Sequence, residues 1–201
     1  MTADGEKGAA AGVVTAGSDS TIDDCWNSGE IHAKDTAGGI SAGLGNIDKG
    51  SVMTGCYNTG SVTGESHAGV AVAGGDAAKR SVIANCYNKG TVSSENFAAG
   101  VTMGQNCAVV NCFNLGGISS QNSGISGAAG ISSTGGRSGD GILWIANCYS
   151  AGTLSEKADG ATYQNQSVEL ESIYYQDDTA VGYFFNRKSD DQDDTYKTAK
   201  E

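Results

Sequence analysis

Proline is absent from this chain of 201 residues, and aromatic residues make up only 7% of it. No apolar run approaches the roughly 20 residues that a bilayer span requires. A core with so few rings must be thin or lined with small side chains, and no membrane-spanning segment is expected. Positive charge is scarce as well. Twelve Lys and Arg face 23 Asp and Glu, a formal net charge of -11, so the averaged surface repels phosphate backbones and anionic membranes. Nucleic acid is therefore not an expected partner. Met1 is followed by polar and small residues where a secretory leader would carry a charged region and an apolar core, which suits a cytosolic protein and equally a domain of a longer secreted chain. Glycine, by contrast, is abundant at 31 residues, and it supplies backbone freedom for many tight corners.

Two phrases recur. The first runs Asn85-Cys86-Tyr87-Asn88-Lys89-Gly90-Thr91-Val92, with copies at Gly55-Cys56-Tyr57-Asn58, Asn111-Cys112-Phe113-Asn114 and Asn147-Cys148-Tyr149-Ser150, and a looser one at Asp24-Cys25-Trp26-Asn27. The second is Ala-Gly-Val or a close variant, with its glycine at 12, 39, 69, 100, 130 and 160, so that successive copies lie 27, 30, 31, 30 and 30 residues apart. A period of this size marks stacked units, none of which can bury its apolar face alone. Gly, Ser, Thr, Val and Asn in short alternations, such as Thr91-Val92-Ser93, indicate strands, and the copies are too short for propeller blades.

The expected fold is all-β: a right-handed parallel β-helix of about six coils of about 30 residues with a C-terminal cap. Aliphatic residues three before each Cys (Ile22, Met53, Ile83, Val109, Ile145) and six after it (Ile31, Val62, Val92, Ile118, Leu154) should point inward. The residue before each Cys is Asp24, Gly55, Asn85, Asn111 or Asn147, types that tolerate left-handed backbone, and a bend is expected there. Stacking turns each position into a column. Cys25, Cys56, Cys86, Cys112 and Cys148 form an inward row, read as free buried thiols over the alternative of disulfides between adjacent coils, which their spacing permits. Asn27, Asn58, Asn88 and Asn114 form an amide ladder at a corner closed by a Gly turn. Trp26, Tyr57, Tyr87, Phe113 and Tyr149 form an outward row of rings, which stabilises the sheet and is also a candidate face for sugar rings.

At these residues the chain resembles the GLUG-motif repeat of large bacterial surface proteins, which include adhesin-like chains and the non-catalytic region of some immunoglobulin A peptidases. The resemblance covers residues from about 9 to about 182. It implies a non-enzymatic structural or adhesive module, extracellular or at the cell surface, with a host or cell-surface glycan or protein as the candidate partner. End-to-end self-association is a candidate assembly. The alternative is a carbohydrate-active enzyme, a polysaccharide lyase or hydrolase working in a groove along the β-helix. Residues 1–8 are expected to be a linker, 9–185 the repeat domain with its cap, and 186–201 an acidic flexible tail.

Chemistry is sparse. Zinc sites use Cys pairs two to four residues apart, whereas Cys107 and Cys112 are five apart with no His nearby in sequence, so no metal or other cofactor is expected. His32 and His67 stand beside no Cys and are read as solvated turn residues, and neither begins the His-Glu-x-x-His of a metallopeptidase. The carboxylates Asp23, Asp24, Asp76, Asp140 and Asp159 fall at different points of their coils, which argues against a catalytic cluster. Ser61 and Thr63, Thr91 and Ser93, and Thr153 and Ser155 set ranks of hydroxyls that resemble ice-binding faces, interrupted by Glu30, His32 and Gly117. Loops around Asn46 to Ser51, Gly74 to Arg80 and Thr134 to Gly141 are expected to project from one edge, where a solenoid binds.

Overall fold

The computed structural model describes residues 1–5, 8–15, 19–44, 50–73, 80–104, 106–121, 127–133, 143–155, 158, 160, 162–163, 168–175 and 197–198. Among the described residues there is no helix, hence none long and apolar enough to cross a membrane, and the strands assemble into three sheets of five, eight and 11 strands. The chain visits the sheets in turn. From Ile31–Ala33 in the first it passes to Thr36–Leu44 in the second, then to Val52–Thr54 and Tyr57–Asn58 in the third. It returns to the first at Val62–Gly64, in parallel register with Ile31–Ala33 where the circuit began. That circuit is one coil of a β-solenoid, and the parallel stacked strands read from the repeat are the architecture observed.

The alternation that specifies each face is visible residue by residue. In Ile31–Ala33 and again in Val62–Gly64 the flanking residues are buried and the middle one, His32 or Thr63, is exposed. Such a period of two lets one side of a strand line the core while the other meets water. Inside, the apolar residues fall into two columns. One holds the residues three before each Cys, the cysteines, and Ile40, Val70, Val101 and Ile131 of the second sheet. The other holds Ile31, Val62, Val92 and Ile118 with the alanines of the second sheet, among them Ala37, Ala68, Ala98 and Ala128. Among the described residues no aromatic side chain belongs to either column, which is the thin core that the composition requires.

Coil length varies where it does little harm. Val62 pairs with Val92, Val92 with Ile118, and Ile118 with Leu154, steps of 30, 26 and 36 residues. In the second sheet Ala68 pairs with Ala98 and Ala98 with Ala128, both steps of 30. The cysteine phrase at Cys112 comes early because the connection before it is short: Met103 to Cys107 takes four steps, while their partners Val72 and Ser81 are nine apart. Connections can shrink or grow without disturbing the stacked strands, since loop length costs little.

Three sequence expectations change. Residues 1–8 are not all linker: Thr2–Ala3 pairs with Ile31–Ala33, and the Met1 ammonium donates to Glu30 O at 2.6 Å while Met1 O accepts from His32 N–H. In the expected tail, Lys197–Thr198 pairs in parallel with Tyr174 and Tyr175. The histidines are not turn residues. His32 is exposed at the centre of a strand, and His67 opens the strand His67–Ala73 and stacks on Phe97 with ring centres 5.8 Å apart. Most of the projecting loops, with Asp76, Asp140 and Asp159, lie outside the described residues, as do most of the cap and tail.

Candidate functional site

The corner that carries the cysteine phrase begins with left-handed backbone. Asp24, Asn85, Asn111 and Asn147 have φ between 49° and 54°, and Gly55 has φ of 62°. Asn and Asp tolerate this region because their short side chains bond locally, and Gly because it lacks a Cβ. The bend resets the alternation, so that Ile22, Met53, Ile83, Val109 and Ile145 and the cysteines that follow them face the same interior.

Two residues after each Cys the amide ladder runs from coil to coil. Asn27 Nδ2 donates to Asn58 Oδ1 at 2.8 Å, Asn58 to Asn88 at 2.9 Å and Asn88 to Asn114 at 2.8 Å, and Asn114 ends the row on Ser150 Oγ at 3.2 Å. The second amide hydrogen of each Asn goes to the carbonyl two residues on, Gly29, Gly60, Gly90 or Gly116. In Asn88 and Asn114 the Oδ1 also accepts from the Gly90 and Gly116 N–H, so every hydrogen-bonding position of these buried amides is used.

The two recurring phrases meet here. A Cβ on Gly39 would lie 3.0 Å from Asn58 Cγ, on Gly100 2.6 Å from Asn114 Cγ, and on Gly130 2.6 Å from Ser150 Cβ. The glycine of the second sheet is thus the space that the ladder of the opposite corner occupies, and this contact divides the interior into its two columns. Gly69 departs from the pattern. Its coil is one residue shorter here, with Ala68 opposite Ala98 but Ala71 opposite Thr102, and a Cβ on it would meet Met103 instead. From Gly60 onward the glycines after the Asn ladder are needed for clearance: a Cβ on Gly90 would reach Gly60 O and lie 2.7 Å from Asn58 Nδ2. A sequence reading sees a turn residue at this position, whereas stacking supplies the constraint.

The thiols form the expected row of positions. The N–H of Cys25, Cys86 and Cys112 each donate to the Sγ of the next ladder cysteine, Cys56, Cys112 and Cys148, at 3.4 Å. Each ladder thiol also donates to the carbonyl two residues before it. None of the six cysteines is in a disulfide; Cys25 is partly exposed and the other five are buried. A hydrogen bond with Cys86, then burial, pushes the Cys56 thiol up, and bonds with Cys148 and Cys86, then burial, push Cys112 well up. The same contacts act in the opposite sense on their partners, Cys112 drawing down both Cys86 and Cys148. Cys107 stands apart from the row, in register with Ser81, and burial carries it up to about 12 against a smaller lowering by Arg80.

Outside, Trp26, Tyr57, Tyr87, Phe113 and Tyr149 stack in one column. Ring centres are 6.2, 4.8, 4.8 and 5.1 Å apart along it, with interplanar angles of 11° or less. Rings arranged this way turn their faces to one another and their edges to solvent, so binding of a sugar by ring face is confined to an end of the column. Trp26, 62% exposed, stands at that end. On the first sheet the outward row is His32, Thr63, Ser93 and Ser119, and Thr63 Oγ1 and Ser93 Oγ lie within 3.1 Å of each other. Among the described residues no three His, Cys, Asp or Glu side chains are grouped so as to hold a metal ion. Asp23 and Asp24 lie in the first coil of the third sheet, where Asp23 is in register with Thr54. Compared with protein-family models, with curated proteins and with solved structures, the chain finds no match.

Proposed function

We propose that this chain is a non-enzymatic structural or adhesive module of a bacterial cell-surface or secreted protein, built as a right-handed β-helix of about six coils with a C-terminal cap, in the manner of the GLUG repeats it resembles. The observation that carries the reading is the closure of the repeated corner. The groups the chain repeats most faithfully, the Asn amides and the Cys thiols, bond to each other and to the backbone within the inner coils, which leaves them no capacity for a substrate there. A ligand would meet instead the hydroxyls of the first sheet, the open ring face at the end of the aromatic column and the loops between coils, where the candidate partner is a host or cell-surface glycan or protein.

The test pairs a glycan-binding array with turnover assays on a panel of acidic and neutral polysaccharides. Retention of a glycan without cleavage is the expected result. Cleavage of any member of the panel overturns the reading in favour of a carbohydrate-active enzyme.

A further inference from the structure

The interface between coils is used repeatedly inside this chain, and it has a direction. Amide hydrogens point from Asn27, Asn58 and Asn88 to the Asn Oδ1 of the next coil, and backbone N–H groups point from Cys25 to Cys56 Sγ and from Cys112 to Cys148 Sγ. Main-chain bonds run the other way: Tyr57 N–H donates to Cys25 O at 3.0 Å and Thr59 N–H to Asn27 O at 2.8 Å. The strand Trp26–Asn27 ends the third sheet on the N-terminal side. Asn27 is 8% exposed, and its Oδ1 accepts from Gly29 N–H at 3.2 Å without the inter-coil amide that Asn58, Asn88 and Asn114 each receive. Trp26 has one face on Tyr57 and the other uncovered by any ring of the column.

We propose that this edge is a docking surface for one more parallel coil of the same repeat, whose cysteine-aromatic-asparagine phrase sets an amide donor on Asn27 Oδ1, a backbone N–H on Cys25 Sγ and a ring on the open face of Trp26. The occupant is fixed by continuity with the stacking interface inside the chain, and by polarity. A second copy meeting the edge head to head would bring Asn27 Oδ1 against Asn27 Oδ1, two acceptors with no hydrogen between them. A coil in the chain's own direction brings donors to both side-chain acceptors, and carbonyls to the Trp26 and Ser28 N–H groups, which occupy the positions of Tyr57 and Thr59. The register gives the geometry of entry. Thr2 pairs with His32 and His32 with Thr63, so Met1 stands level with Val62, and the segment before Val62, Val52 to Ser61, carries one full phrase.

The experiment appends Val52 to Ser61 in front of Met1 of the full chain, in a Trp144→Phe background so that Trp26 is the only indole. Two further chains carry the same residues scrambled, or with leucine at the position copied from Asn58. The native-order extension is expected to slow amide exchange at Trp26 and Ser28 by about tenfold or more and to protect Trp26 from acrylamide, while the scrambled one does neither. Equal protection by native and scrambled extensions overturns the proposal, and equal protection by the leucine version overturns the role of Asn27 Oδ1. Protection of Trp26 that rises with protein concentration in the unextended chain assigns the edge to a second copy and also overturns it.

Discussion

Asn58 donates one amide hydrogen to Asn88 Oδ1, 2.9 Å away in the next coil, and the other to Gly60 O in its own corner at 2.8 Å. Because Asn88 repeats the arrangement toward Asn114, each interior member of the ladder is both an end of one inter-coil bond and the start of another. Removing one member therefore strands partners in two neighbouring coils.

Asn88→Ala is expected to lower the free energy of unfolding by about 3 kcal/mol, since the buried Asn58 amide, the Asn114 Oδ1 and the Gly90 N–H each lose a partner and an unmade buried hydrogen bond costs about 1–3 kcal/mol. Asn27→Ala, at the end of the ladder, should cost roughly half as much. Urea unfolding of the two variants checks the ranking, and equal losses would contradict the ladder as the source of the stability.

Gly100→Ala should be more damaging than Gly39→Ala. The new methyl at 100 would meet Asn114 Cγ at 2.6 Å and its Cβ at 2.8 Å, together with the Gly130 carbonyl, all of them fixed by stacking. At 39 it would meet only Asn58 atoms, at 3.0 to 3.1 Å, where a small shift suffices. Overpacking of about 1–3 kcal/mol is expected at 100 and less at 39, measured as the difference in unfolding midpoint.

The relation between these two glycines and the Asn ladder marks the limit of what the sequence discloses. The period, the parallel strands, the bend before each Cys and the inward aliphatic residues are legible because each is written locally, in spacing and in residue types suited to left-handed backbone. That Gly39 and Asn58 touch is not local: they belong to opposite walls of one coil, and only the folded cross-section joins them. The turn at Gly90 is legible, but the need for glycine there is not, because the atom that excludes a side chain belongs to Gly60 in the coil before. Thr2–Ala3 lies too close to the start to show periodicity, so its place beside Ile31–Ala33 comes from pairing alone.

The protein should lose stability in alkali, and Cys107 should contribute to the loss. Its folded pKa, about 12, lies above the ordinary thiol value of 9.0, so the unfolded chain ionises first. The contribution is intact below about pH 9 and declines as pH rises toward 12, at about 1.4 kcal/mol per pH unit. Cys107→Ser carries the residue found at its partner Ser81 and should flatten this part of the pH-stability curve relative to the parent chain. An unchanged slope between pH 9 and 11 would contradict the assignment.

A thiol reagent added to the native protein is expected to label Cys25 first. Cys25 alone is partly exposed, whereas Cys56, Cys86, Cys107, Cys112 and Cys148 are buried behind the sheet. Their labelling should wait for opening of the coils and so accelerate with urea in step with unfolding. Mass spectrometry counts the adducts; rapid uptake of more than one in native conditions would contradict the buried row.

Tyr87 and Trp26 separate the two roles an aromatic column can play. Tyr87 has a ring 4.8 Å away on each side, so Tyr87→Ala removes two stacked pairs of about 0.5–1.5 kcal/mol each and should destabilise the chain by about 1–3 kcal/mol. Trp26 stacks on one neighbour at 6.2 Å and is largely exposed, so Trp26→Ala should cost less than about 1 kcal/mol. While the outer face of Trp26 is uncovered, binding should follow the opposite order. A sugar ring stacks on an aromatic face, and in this column a face is open only where the stack ends. Retention of a glycan on the array should therefore fall with Trp26→Ala and survive Tyr87→Ala at temperatures where that variant remains folded. Loss of retention with Tyr87→Ala alone would mean that the ring edges, and not the open face, meet the ligand.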